Sequence, residues 1–308
     1  MEATAANRCA HCGAKAHNTC SGCNISAPKY YPDEITTVVY CNVACQWKNW
    51  SIHKDHCLLM QRRLKLLRAA QIMKAALLML REYTFDLGLT GVELRGNVYY
   101  VHGRPLATKL CTFPDGITNI YLKEALLLYG QCEFAIPLLV ESAFRLLEET
   151  PPTRKLVTVV KEAVDIRYTF YEKRVTLLHS VLEVALKNEK WIVDVTGSQS
   201  GFREIIVPFD QYMRERVILV DCVEPANYST WRRLHEAIGP VDNRVPAHQL
   251  TEIARSQFSD FIQKHFGTGT TQAAVEDFVS GTTETFQGML NRFLEELKQY
   301  VLEITGLY

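Results

Sequence analysis

Nowhere does the chain contain a run of about eighteen uncharged apolar residues, the length a membrane-crossing helix needs. The opening segment, MEATAANRCAHCG, has no basic patch followed by an apolar stretch, so a secretory leader is not expected. An excess of one charge is missing as well. With 34 basic and 34 acidic residues, no global field draws the chain to nucleic acid or to an anionic membrane. Internal repeats and low-complexity tracts are also lacking. Cysteine is scarce over most of the length, because seven of the ten fall before residue 58. These absences predict a soluble intracellular protein, nuclear or cytoplasmic, with no membrane partner and with its oligomeric state left open.

The seven early cysteines have a pattern. They run Cys9-x2-Cys12, Cys20-x2-Cys23, Cys41-x3-Cys45 and His53-x3-Cys57, eight donors in four pairs. In a reducing compartment such pairs point to metal rather than to disulfides. Eight donors suit two tetrahedral Zn(II) ions, with no position left for a reactive water, so both ions are expected to be structural. A segment this short buries too little apolar surface to fold alone, and each zinc must contribute folding free energy. His11, His17 and His56 are left over and read as solvated loop residues.

The segment YCNVACQWKNWSIHKDHC resembles the end of the MYND zinc finger, through Tyr40-Cys41, Cys45-Gln46, Trp50, His53-Lys54 and Cys57. The resemblance implies an interleaved arrangement, with Cys9, Cys12, Cys41 and Cys45 on one zinc and Cys20, Cys23, His53 and Cys57 on the other. It also implies a module that binds proteins, often proline-containing peptides. Trp50 is expected in the miniature core, and Gln46 with Trp47 on the partner-facing surface.

Residues 58–83 lack glycine and proline and repeat apolar residues at helical spacing, which predicts a connecting helix. Its six basic residues read as one solvated face. GVELRGNVYYVHGRP predicts a β-hairpin around Gly96-Asn97. Helix is expected over 121–149, strands over about 165–196 with a turn at Asn188-Glu189, and helices over 209–219, 227–238, 247–265 and 271–304. The expected organisation is a finger at 1–57, a connecting helix at 58–83, and a helix-rich α+β domain at 84–308 with one small antiparallel sheet. Within it, a core at about 121–205 precedes a helical part at 209–305.

A second constellation lies in that core. In YGQCEFAIPLL, Gly130 can end one helix and Cys132 can begin another. His179 opens one predicted strand and Asp194 closes the next, which brings them together across an antiparallel ladder, as a base and its orienting carboxylate require. Gly-Gln-Cys, then His, then Trp-x-x-Asp-x-Thr resembles the transglutaminase-like members of the papain superfamily, and fungal proteins that join a MYND finger to such a domain. The resemblance implies Cys132 as acyl-forming nucleophile, His179 as base and Asp194 as orienter, in a cysteine hydrolase or transamidase. Each residue also has a plain structural role open to it: Cys132 as a small buried hydrophobe, His179 as a core histidine, Asp194 as a turn cap.

Two other classes are disfavoured. The chain has neither the Asn-His-x-Cys signature nor the terminal Cys-x-Cys-x2-Cys of SET-domain methyltransferases. Up to residue 83 the basic surplus is six, which two Zn(II) and seven thiolates reduce to three, a modest charge for tracking phosphates.

Overall fold

The computed structural model describes residues 8–23, 26–96, 98–106, 109–148, 150–161, 163–169, 178–225 and 246–306. One helix organises them. α1 spans Val43–Tyr83, 41 residues without glycine or proline, and begins where the Asn42 side chain accepts a hydrogen bond from the Cys45 backbone N–H. It ends at Thr84, whose hydroxyl donates to the Leu80 carbonyl. The last three zinc-ligand positions, Cys45, His53 and Cys57, and the whole connecting segment therefore lie on one continuous element.

Before α1, the finger contains a two-residue ribbon, β1 (Asn18–Thr19) paired with β2 (Val39–Tyr40). After it come β3 (Leu87–Arg95) and β4 (Val98–Pro105), an antiparallel pair as the Gly96-Asn97 signal predicts; Asn97 itself lies outside the described residues. Three short helices follow, α2 (Ile120–Leu128), α3 (Cys132–Leu138) and α4 (Val140–Leu146). Pro137 sits in the last turn of α3, where the chain breaks and restarts as α4. Then come β5 (Pro152–Val160), β6 (Asp165–Tyr168), β7 (His179–Leu186), β8 (Glu189–Val193) and β9 (Ile206–Pro208). The chain continues through α5 (Phe209–Glu215), β10 (Val217–Pro225), α6 (Pro246–Phe266), α7 (Gln272–Asp277) and α8 (Thr283–Thr305).

The single small sheet expected from the sequence is replaced by three sheets among the described residues. The largest has the order β10-β5-β7-β8-β9, antiparallel throughout, and the third is β3-β4-β6, in which β4 and β6 run parallel. The predicted helix over 209–219 stops at Glu215, because VILVDCVEP pairs with β5 as an edge strand. The β7–β8 turn falls one residue early, at Lys187-Asn188, with Lys187 at φ 57°. The helix expected over 271–304 divides at 278–282, where Gly281 takes φ 77°. The helix expected over 227–238 lies outside the described residues.

The main core forms where α1, α3, α4, α6 and α8 meet one face of the large sheet, around Leu77, Leu128, Val184, Trp191, Phe258, Phe266 and Leu297. α1 is wrapped on most sides, and this overturns the solvated basic face. Arg63, Arg68, Lys74 and Arg81 are buried and paired. Arg68 donates to the carbonyls of Val279, Ser280 and Gly281, and Lys74 reaches Glu124 at 2.6 Å and the Ser198 hydroxyl at 2.8 Å. Long basic stems pack on apolar neighbours while each head group finds an acceptor.

Candidate functional site

The finger brings the eight ligand positions into two clusters, Cys9, Cys12, Cys41, Cys45 and Cys20, Cys23, His53, Cys57, with the donor atoms of each within 4.8 Å of one another. Two sulfurs at about 2.3 Å from a tetrahedral zinc lie roughly 3.8 Å apart. Observed separations are 3.6 Å for Cys12–Cys41, 3.5 Å for Cys41–Cys45, 3.9 Å for Cys20–Cys57 and 3.6 Å from Cys23 Sγ to His53 Nε2. Burial and the neighbouring sulfurs of Cys20 and Cys57 push the Cys23 thiol up to about 12, so a cation is what lets these donors be thiolates together. The donor sets fit two structural Zn(II) ions.

Local geometry explains the knuckles. Gly13, at φ 73°, closes the first one through its N–H to the Cys9 carbonyl. A Cβ on Gly22 would lie 2.6 Å from Cys57 Sγ, so the second knuckle needs glycine for close approach. Gln46 Nε2 donates to Cys20 Sγ at 3.4 Å and Gln61 Nε2 to Cys57 Sγ at 3.5 Å, supporting the ligands from outside. Gln46 is thus half-buried against a ligand, whereas Trp47 is 76% exposed. Trp50 is an exposed residue edge-on to His53, and the central position expected for it is taken by Tyr40, whose hydroxyl donates to Asn49. His56 Nε2 lies 3.0 Å from the Thr36 carbonyl, a structural tie.

The second constellation is assembled from α3, β7 and the segment after β8. His179 Nε2 lies 2.9 Å from Asp194 Oδ1, and the Tyr212 hydroxyl of α5 donates to Asp194 Oδ2 at 3.0 Å. Cys132 opens α3 beside the imidazole and donates its S–H to the Leu178 carbonyl at 3.0 Å. All four side chains are buried. A Cβ on Gly197 would come within 2.6 Å of Asp194 Oδ2, so the carboxylate occupies space that only glycine leaves.

Burial lowers the His179 pKa, while the Asp194 carboxylate and a Cys132 thiolate raise it; the thiolate's share is absent as long as Cys132 keeps its proton on the Leu178 carbonyl. Burial opposes ionisation of Asp194 too, yet its contacts with His179 and Tyr212 hold it below the usual carboxylate range. Buried next to that carboxylate, Tyr212 is pushed well above its ordinary value. The ring nitrogen left to act as base is Nδ1. Gln199 Nε2 faces it at 3.0 Å, while Gln199 Oε1 accepts from the Gly130 N–H at 3.0 Å. Gln131, which precedes Cys132 at the start of α3, turns its amide to the Tyr129 carbonyl at 3.3 Å.

Sequence reasoning missed Tyr212 and Gln199. Gln199 stands inside the Trp-x-x-Asp-x-Thr-Gly-x-Gln stretch, but nothing in its spacing assigns it to His179. Tyr212 carries no local signal.

The family model of the MYND finger matches residues 9–57. MYND fingers are zinc-binding protein-interaction modules. No curated protein and no solved structure matches the chain. No helix of the described residues is long and apolar enough to cross a membrane.

Proposed function

We propose that the chain recruits a protein partner through its finger, with a proline-containing segment as the ligand class, and that Trp47 is the main contact. The supporting observation is an indole 76% exposed on a helix whose first turns are held by two zinc clusters. Val43, on the same helix face four residues earlier, is 64% exposed and extends the apolar surface. A rigid aromatic anchor is the kind of group that supplies most of an interface's free energy. Trp47→Ala should abolish binding of the zinc-loaded chain to proline-containing peptides, followed by fluorescence polarisation, without altering its unfolding temperature. Unchanged binding in that variant sinks the assignment.

A second reading concerns the large domain, and the His179–Asp194 contact at 2.9 Å beside Cys132 favours it. In this reading the domain is a cysteine acyl-transfer enzyme. The Cys132 proton passes to His179 Nδ1, the thiolate attacks an acyl carbonyl, and the imidazolium returns the proton to the leaving amine. Water or a second amine then cleaves the thioester. The finger delivers the protein substrate. Trace iodoacetamide should modify Cys132 faster than Cys111 or Cys222, and His179→Ala should remove that preference. Labelling of Cys132 that ignores His179 would count against the enzyme.

A further inference from the structure

The environment of His179 contains a group that an acyl-transfer triad does not call for. The Gln199 amide is buried, 6% exposed, and both of its ends are engaged. Its orientation is decided by the Gly130 N–H, which can only donate, so the atom facing it is Oε1. The NH2 group is therefore the end turned to His179, and it requires an acceptor there. Nδ1 must carry its lone pair, which leaves the ring proton on Nε2, facing Asp194 Oδ1. Reversing the amide to suit a doubly protonated ring would set its NH2 against the Gly130 N–H, two donors in a buried space.

The consequence falls on Cys132. Its natural proton acceptor is the Nδ1 lone pair, which Gln199 already occupies, and its S–H is instead given to the Leu178 carbonyl at 3.0 Å. We propose that Gln199 is a positioning residue that fixes the Nε2–H tautomer of His179 and withholds Nδ1 from Cys132, so that thiolate forms only when the amide is displaced. This inference rests on the acyl-transfer reading of the site. When the amide moves, the S–H bond of Cys132 breaks and an Nδ1–H bond forms. The products are a thiolate and an imidazolium whose other N–H still faces Asp194. Gln199 also joins two parts of the site that are far apart in sequence. Gly130 lies two residues before the nucleophile and His179 opens β7, so one side chain sets the spacing between them.

The test uses the full zinc-loaded chain at a single neutral pH. Nitrogen-15 NMR of histidine-labelled protein should find His179 Nδ1 without a proton and Nε2 with one. Gln199→Glu conserves the volume but offers Nδ1 only an acceptor, so its spectrum should gain an Nδ1–H. Gln199→Ala should raise the rate at which trace iodoacetamide modifies Cys132 about fivefold, the factor one neutral hydrogen bond is worth. Adding His179→Ala should cancel that gain, whereas a gain due only to a wider opening would persist and overturn the proposal. A protonated Nδ1 in the unaltered protein would overturn it without any variant. Should labelling depend on His179 but not on Gln199, the positioning role falls and the triad stands. If it depends on neither, both fall.

Discussion

Arg63 and Glu189, 126 residues apart in sequence, form a buried ion pair that ties the finger to the large sheet. Arg63 Nε reaches Glu189 Oε2 at 2.9 Å, and Trp191 Nε1 donates to the same oxygen at 3.0 Å. The other edge of the guanidinium holds Glu34 of the finger by two bonds of 2.6 and 2.7 Å and the Pro28 carbonyl at 3.1 Å. One side chain on α1 is thus shared between a zinc-held loop and the first residue of β8.

Removing this guanidinium leaves two carboxylates facing a space that no longer neutralises them. Arg63→Ala should cost about 3–5 kcal/mol, read from urea unfolding followed by circular dichroism. Replacing Arg63, Glu34 and Glu189 together by Met, Gln and Gln should recover much of the loss, since the penalty lies in the unpaired charges. A single variant that unfolds like the parent would mean the ion pair is dispensable.

Zinc content gives a second expectation. Native mass spectrometry should find two ions per chain, and Cys41→Ala and Cys57→Ala should each remove a different one. Each structural ion is worth roughly 10–16 kcal/mol to so small a fold. A chelator should therefore melt the finger and fray the first turns of α1, seen as lost amide protection over 43–57. A single ion in the parent protein would contradict the two-cluster assignment.

Glycines separate packing from propensity. Gly197→Ala places a methyl against the Asp194 carboxylate and should cost about 1–3 kcal/mol while shifting the His179 ring resonances. Gly288, exposed within α8, meets nothing within 4 Å of an added Cβ. Gly288→Ala should raise stability by about 0.5–1 kcal/mol, because the helix loses its most flexible residue. Equal effects at both positions would show that the space beside Asp194 is not tight.

The buried Lys74 makes a further case. Its ammonium is shared by Glu124 and Ser198, and Ser198 also donates to Glu124 at 2.9 Å. Lys74→Met should lower the unfolding temperature through the stranded carboxylate, and Lys74→Met with Glu124→Gln should restore part of it. Additive losses in the double variant would remove the coupling.

What the sequence made legible was what is local. The zinc ligands lie in pairs three or four residues apart, so spacing alone marks them as ligands. His179 and Asp194 meet because a hairpin joins their strands, and the turn expected at Asn188-Glu189, one residue from its place at Lys187-Asn188, is enough to put both at its open end. Contacts set by sheet order escaped. Gln199 and Tyr212 reach the same site from beyond β8, at distances fixed by how the helical turn Gly197–Ser200 and α5 pack rather than by any repeat. The expected helix over 209–219 runs into the start of VILVDCVEP because the partner of that strand, β5, lies some sixty residues earlier, and only that pairing makes it a strand. The basic residues of α1 looked solvated because periodicity reports apolar faces and is silent about which charges find buried partners.

The continuity of α1 has a mechanical meaning. An α-helix of 41 residues is about 60 Å long, and Trp47 stands roughly 24 Å along it from Arg63. There is no hinge in that interval, since it contains neither glycine nor proline. A load taken up at the indole is carried by a stiff strut to the point where Arg63 grips β8, the strand that leads directly into Asp194. The finger is a handle rather than a bead on a string, and torque applied to it is delivered to the wall of the buried site.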